Sequence, residues 1–237
     1  ESVGCTPIPQ TGPSPHLLAG VEAAKQGGAV TLALVNETAS PLAGTVDHVL
    51  PLHAGPERSV AATKSFIASL AALLDLVAEW AGDDALAASL RAAPEALSQA
   101  WEADWSALVA GLAEVRGLYV VGRGLGLGIA QEAALKLKEV CRLHAEPFSA
   151  AELRHGPLAL VGPDFPLLVL RQGDETEDSV DALVRDVAAH GAPLFVTGAA
   201  ASIYDTPLTF DAFVHDPLHT CHPLDRDRVE ALWKAHQ

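Results

Sequence analysis

Apolar positions along the chain fall into two kinds of pattern, short continuous runs and longer stretches with helical spacing. Residues 29–35, Ala29-Val30-Thr31-Leu32-Ala33-Leu34-Val35, make a continuous run of strand length, the kind buried on both faces of a parallel sheet. Ahead of it, Ser14-Pro15 predicts a helix N-cap with proline at the first helical position. Leu17, Leu18, Val21 and Ala24 then supply helical spacing, and Gly27-Gly28 ends the element. A short strand is expected over 46–52, after the Pro41 and Gly44 turn region. From Glu57 the spacing predicts about six helical turns, with Val60, Phe66, Leu70, Leu73, Leu74 and Val77 facing inward. A second helical block over 85–115, with Pro94 near a boundary, predicts a linking helix pair.

The same order then starts again. Gly117-Leu118-Tyr119-Val120-Val121-Gly122 predicts a strand that turns into a helix, followed by strands over 166–170 and 193–197 with a helix over 177–190 between them. Repeated β/α alternation predicts an α/β protein of two sandwiches with parallel sheets. The expected division is a first lobe over 1–95, a linker helix over 96–116 and a second lobe over 117–237. Beyond Asp205 the pattern is weak until Asp225 caps a short helix ending at His236.

Composition narrows the function classes. Of the 237 residues, 49% are hydrophobic, enough for a sizeable core, and the net charge is −15. That charge argues against nucleic acid and against an anionic membrane surface, both of which require clustered Lys and Arg. No membrane span and no signal peptide are expected, because even residues 65–81 carry Asp75 and Glu79. The three cysteines, Cys5, Cys141 and Cys221, are widely spaced without a CxxC. Neither a disulfide framework nor a zinc site is expected, and a reducing cytoplasmic compartment is. The chain holds no Met, which is unexpected at this length and raises the expectation that residues have been lost and segments joined.

Three features carry candidate chemistry, each with a plainer reading beside it. Gly122-Arg123-Gly124-Leu125-Gly126 has the form of a dinucleotide turn or of a tight strand-to-helix turn without a ligand. Against the dinucleotide reading, position 127 is Leu, and no acidic residue follows at the end of a second strand about 20 residues on, since that region reads as helical. Glu132, Lys136 and Glu139 lie at i, i+4 and i+7 and share one stripe beside the apolar row Ile129, Ala133, Leu137 and Val140. The stripe is either a general base held beside a lysine or an exposed ion-pair ladder. His155, before Gly156-Pro157, sits on a turn where it either faces a cleft or lies on the surface. No HxxxH or HExxH spacing occurs, so no metal site is expected.

Taken jointly, residues 132–140, His144-Ala145-Glu146 and Ala151-Glu152-Leu153-Arg154-His155-Gly156-Pro157-Leu158-Ala159-Leu160 resemble the second lobe of the sugar isomerase (SIS) family. The likeness is to the isomerase half of glucosamine-6-phosphate synthase and its stand-alone relatives. In the first lobe, residues 54–66, from Ala54-Gly55-Pro56-Glu57 to Lys64-Ser65-Phe66, resemble that family's segment entering its long helix. Gln10-Thr11-Gly12-Pro13-Ser14 resembles its phosphate loop. The resemblance implies two SIS lobes, each a parallel sheet flanked by helices in an α/β/α sandwich.

It further implies a phosphosugar aldose-ketose isomerase, with or without deamination, working through an enediol(ate) and needing no cofactor. Glu139 would shuttle the proton between C1 and C2, and His155 would assist ring opening. Lys136 and Glu132 would line the pocket. Gln10, Thr11 and Ser14 would hold the phosphate, and the backbone around Val60 and Ala62 would contact the sugar. A homodimer with shared active sites is implied as well. Two alternatives stand beside this reading: an amino-sugar phosphate deaminase or fructosamine-phosphate deglycase, and a binding protein without turnover. The chain departs from the family pattern at Pro9, usually Ser, at Pro13, often acidic, and at Ala62, often Ser. The family's C-terminal lysine has no counterpart, since Lys234 is the only lysine of the final helix and is not assigned that role. No glutaminase domain and no N-terminal Cys nucleophile are recognised, and the first helix and strand of the N-terminal lobe are not evident.

Overall fold

A computed structural model describes residues 4–5, 14–58 and 61–197, which divide between two compact units, 1–103 and 104–237. Gln10, Thr11, Val60, Cys221, Lys234 and the short helix expected from Asp225 to His236 lie outside the described residues.

The first unit alternates strand and helix: β1 (Gly4–Cys5), α1 (Pro15–Gln26), β2 (Val30–Val35), α2 (Pro41–Thr45), β3 (His48–Pro51), α3 (Thr63–Ala81) and α4 (Asp84–Trp101). Its sheet is parallel in the order β1-β2-β3, with Leu32 opposite His48 and Val35 opposite Pro51. Val21 of α1, Ala33 and Val35 of β2, and Leu42 of α2 form its core. Asp47 ties the layers together, since its Oδ2 accepts from Thr31 N and Oγ1 at 2.9 and 2.7 Å and its Oδ1 meets Lys25 Nζ at 3.0 Å.

Three expectations for this unit need correction. The long helix starts at Thr63 rather than Glu57, and Glu57 stays in the preceding turn, where its carboxylate accepts from Ser65 N of the first helical turn. Leu70, Leu74 and Val77 of α3 are exposed rather than inward. The buried positions of α3 are the small residues Ser65, Ser69 and Ala78, and apolar spacing cannot tell a covered stripe from an uncovered one. Pro94, read as a boundary, lies inside α4. The helix tolerates the lost N–H because it buries no residue, so the unpaired carbonyl faces water.

The second unit contains α5 (Ser106–Leu112), β4 (Gly117–Gly122), α6 (Leu125–Cys141), β5 (His144–Ser149), β6 (Leu167–Leu170), α7 (Glu177–Ala189) and β7 (Leu194–Thr197). Two 3-10 turns, Glu152–His155 and Pro157–Leu160, join β5 to β6. The parallel sheet runs β5-β4-β6-β7, and every residue of β4 is buried. Alternation along the strands feeds two cores. Leu118, Val120 and Leu168 pack with Ala130 and Ala134 of α6 and Leu112 of α5. Tyr119, Val121, Leu167 and Val169 pack with Val180, Leu183, Val184 and Val187 of α7 and with Leu153 of the first turn. This is an α/β/α sandwich. The region about 20 residues beyond the glycine turn, read as helical, instead contains the edge strand β5, because Arg142 ends α6 in a left-handed conformation (φ 56°).

Candidate functional site

The second unit presents its candidate chemistry from α6. Gly122 is required by close approach, since a Cβ there would lie 2.2 Å from the Gly126 carbonyl oxygen, whereas one on Gly126 would lie 2.5 Å from Gln172 Nε2, the movable end of a side chain. Gln172 Nε2 donates to the Arg123 carbonyl at 2.8 Å, and Arg123 Nη1 donates to Ser149 Oγ at 3.1 Å. The turn that resembles a dinucleotide loop is thus filled by protein side chains, and the approach its glycines permit is protein against protein.

Two turns into α6, the structure brings the predicted charged stripe together. Lys136 Nζ lies 3.1 Å from Glu132 Oε1 and 2.9 Å from Glu139 Oε2, one ammonium between two carboxylates. Side-chain exposure rises along the stripe, from 14% at Glu132 to 21% at Lys136 and 29% at Glu139. Burial works against the ammonium, but the hydrogen bond it donates to Glu139 and its ion pair with Glu132 outweigh that and hold the Lys136 pKa above the usual lysine range. Lys136 therefore stays charged near neutrality. Glu132 Oε1 is buried and accepts no well-aligned hydrogen bond, its contact with Lys136 being ionic. Ion pairs at such spacing contribute roughly 0.3–0.5 kcal/mol each, too little to account for a buried carboxylate on stability grounds.

His155 ends the first 3-10 turn and is exposed. The turn is pinned from both sides, by fully buried Leu153 and by a 2.7 Å ion pair from Arg154 Nη2 to Asp186 Oδ2 on α7. Gly156, at φ 143°, lets the chain leave sharply. No hydrogen bond or ion pair joins His155 to the Glu132, Lys136 and Glu139 stripe among the described residues.

In the first unit, Ser14 is the N-cap of α1, followed by Pro15, and its side chain makes no capping hydrogen bond. Its carbonyl accepts from Leu17 N and Leu18 N at 3.1 and 3.2 Å. The first turn holds no acidic residue, so the positive end of the α1 dipole is not neutralised by its own helix. The start of α3 differs. Ala62 is its buried N-cap residue, and Glu57 Oε2 accepts from Ser65 N at 2.9 Å and Ser65 Oγ at 3.0 Å. A carboxylate of the chain itself already occupies that helix end, which leaves α1 as the first-unit helix terminus suited to an anion.

Residue spacing did not single out Glu57, Asn36, Ser149 or Gln172, although each holds part of a candidate site in place. The one available signal is position, since Asn36, Ser149 and Gln172 follow or end a parallel strand, where α/β folds gather their ligand contacts. Among the described residues no group of three or more His, Cys, Asp or Glu is placed to hold a metal ion, and no helix is long and apolar enough to cross a membrane.

Comparison with known proteins follows the same division of the chain. The SIS domain pattern matches residues 8–78 and 111–206. The glutamine–fructose-6-phosphate aminotransferase (isomerizing) of Rhizobium meliloti is 35% identical over 216 residues, covering 84% of this chain and 35% of its own length. Among solved structures, a proposed phosphosugar isomerase of Silicibacter pomeroyi DSS-3 is 44% identical with a TM-score of 0.78, over 82% of this chain and 60% of its own. The C-terminal domain of glucosamine-fructose-6-phosphate aminotransferase from Francisella tularensis is 29% identical with a TM-score of 0.72, over 81% of this chain and 58% of its own. The chain thus spans about a third of the length of the curated relatives it matches.

Proposed function

The chain belongs to the SIS domain family, and from that membership we propose that it isomerises a 6-phosphorylated aldose, ketose or amino sugar by proton transfer between C1 and C2. The observation that carries the reading is the Lys136 ammonium set between the Glu132 and Glu139 carboxylates. In the direction from aldose to ketose, the Glu139 carboxylate takes the proton from C2, the C2–H electron pair forms the C1=C2 bond of an enediol(ate), and the C1=O π pair moves onto O1. The same carboxyl group then returns the proton to C1 from the C1=C2 pair, as the C2=O bond forms and the O2 proton passes to O1. No oxidant, reductant or metal is needed to balance the step. Glu139 is the most exposed carboxylate of the stripe, which suits a group that must reach substrate. His155 opens the sugar ring by moving the O1 proton to the ring oxygen.

Phosphate recognition is assigned to Gln10, Thr11 and Ser14 with the open N-terminus of α1, and sugar contact to the backbone around Val60 and Ala62. That assignment lets a chain of net charge −15 hold an anion through local donors rather than a basic patch. The same reading takes the protein as a cytoplasmic homodimer with shared active sites, its lobes spanning 1–95 and 117–237.

Incubation with glucosamine 6-phosphate or fructose 6-phosphate in deuterated water tests the reaction. Deuterium is expected at C1 or C2, and Glu139→Gln is expected to slow exchange by about 10²–10⁴-fold while leaving binding intact. Release of ammonia would select a deaminase. Binding with no exchange for either sugar would sink the isomerase and leave a binding protein.

A further inference from the structure

Between β3 and α3 the chain takes an unusual path. His53, a residue with a Cβ, sits at φ 51°, and Gly55 follows at φ 73°, so two left-handed residues lie within three positions. Such conformations persist only where the surroundings over-determine them. Here three side chains do so. Asn36, just past the end of β2, accepts from Ala54 N at 2.9 Å through Oδ1 and donates to the Gly55 carbonyl at 2.7 Å through Nδ2. It grips the turn on both sides of one peptide unit, as a neighbouring strand would. Lys64 Nζ donates to the Pro56 carbonyl at 2.6 Å. Glu57 reaches forward to Ser65 N and Oγ, fastening the loop to the first turn of α3.

We propose that Asn36 and Glu57 are positioning residues that hold the 54–58 turn and the α3 N-terminus, with Ala62, in the conformation that receives the sugar. The proposal rests on the isomerase reading, because Ala62 is a sugar contact only within it. None of these five hydrogen bonds adds to a hydrophobic core. Asn36, Glu57 and Ser65 belong to no apolar cluster; the Asn36–Gly55 and Lys64–Pro56 bonds are exposed, and the Asn36–Ala54 and Glu57–Ser65 bonds are part-buried. A polar clamp that is exposed or half-buried adds only modestly to global stability, whereas fixing a binding loop before ligand arrives removes an ordering cost from binding itself. Asn36 spans 19 residues of sequence to Gly55, and Glu57 spans eight to Ser65. Together they connect the end of β2, the loop and the helix.

The test compares wild type with Asn36→Ala, Glu57→Ala and Glu57→Gln by amide hydrogen exchange, melting temperature and steady-state kinetics with fructose 6-phosphate. Both alanine variants are expected to speed exchange within 54–66 and to raise KM by about tenfold at nearly unchanged kcat, with little change in melting temperature. Glu57→Gln keeps an acceptor oxygen at the same reach and is expected to restore most of the wild-type KM. A fall in melting temperature with KM unmoved would reduce the clamp to an ordinary structural contact and overturn the proposal. Unchanged exchange in both alanine variants would overturn it too. If wild type neither binds nor turns over a phosphosugar, the isomerase reading fails first and this proposal with it.

Discussion

Asp47 shows how much one exposed side chain can organise. Hydrogen bonds from the Thr31 hydroxyl and amide, with Lys25 beside it, hold its carboxyl well below the usual carboxylate range. A depressed carboxyl pKa stabilises the fold at pH values above the unfolded pKa of about 3.9, and that contribution is lost as pH falls through the lower folded value. Asp47→Asn is therefore expected to lower the melting temperature by a constant amount between about pH 5 and 8. The gap from wild type should close only as the pH falls below about 4. A gap that closed near neutrality would mean that another group carries the effect. At this scale the sequence was legible where spacing is local. Glu132, Lys136 and Glu139 met as their i, i+4 and i+7 positions demand, because a helix fixes those distances. Asn36 with Gly55, and Arg123 with Ser149, were not legible, since contacts 19 and 26 residues apart depend on which strands become neighbours.

Elements were legible in proportion to how far one residue pattern decides them. Continuous apolar runs became β2, β4, β6 and β7, and the Ser14-Pro15 start and Gly27 end bracketed α1. β5 escaped because His144-Ala145-Glu146-Pro147-Phe148-Ser149 has neither alternation nor a continuous apolar run. It becomes a strand by pairing with β4 along all six residues, a tertiary effect on a weak local preference. The turn between β4 and α6 gives a paired test of why its glycines are there. At Gly122 an added Cβ meets backbone at 2.2 Å, and at Gly126 it meets the far end of the Gln172 side chain at 2.5 Å. Backbone in a central strand cannot yield, but a glutamine amide can swing away at the cost of its bond to the Arg123 carbonyl. Gly122→Ala is expected to destabilise by about 3 kcal/mol or more, and Gly126→Ala by about 1 kcal/mol, the value of the lost hydrogen bond. Urea unfolding measures both, and equal losses would show that the turn moves as a unit.

At the scale of the molecule, repeated β/α order was enough to predict the α/β class and parallel sheets, because short connections leave few other topologies. Which helix faces are covered was not predictable, since Leu70, Leu74 and Val77 on α3 carry the same spacing as a core stripe and are exposed. The two units also differ in how they bury their strands. β4 is paired on both edges, with β5 and β6, and feeds an apolar cluster on each face. In the first unit the described cluster holds four buried residues, Val21, Ala33, Val35 and Leu42. Amides open in cooperative groups whose protection follows the apolar area that must be exposed with them. Native-state hydrogen exchange is therefore expected to be slowest at residues 118–121 and 167–169 and measurably faster at 30–35. Addition of a phosphosugar should then slow the first unit more than the second, because ligand binding stabilises most where the free protein opens most readily and the phosphate-holding residues are assigned there. Equal protection of both sheets without ligand would mean that the units unfold as one, and burial within each sheet would no longer set the order of opening.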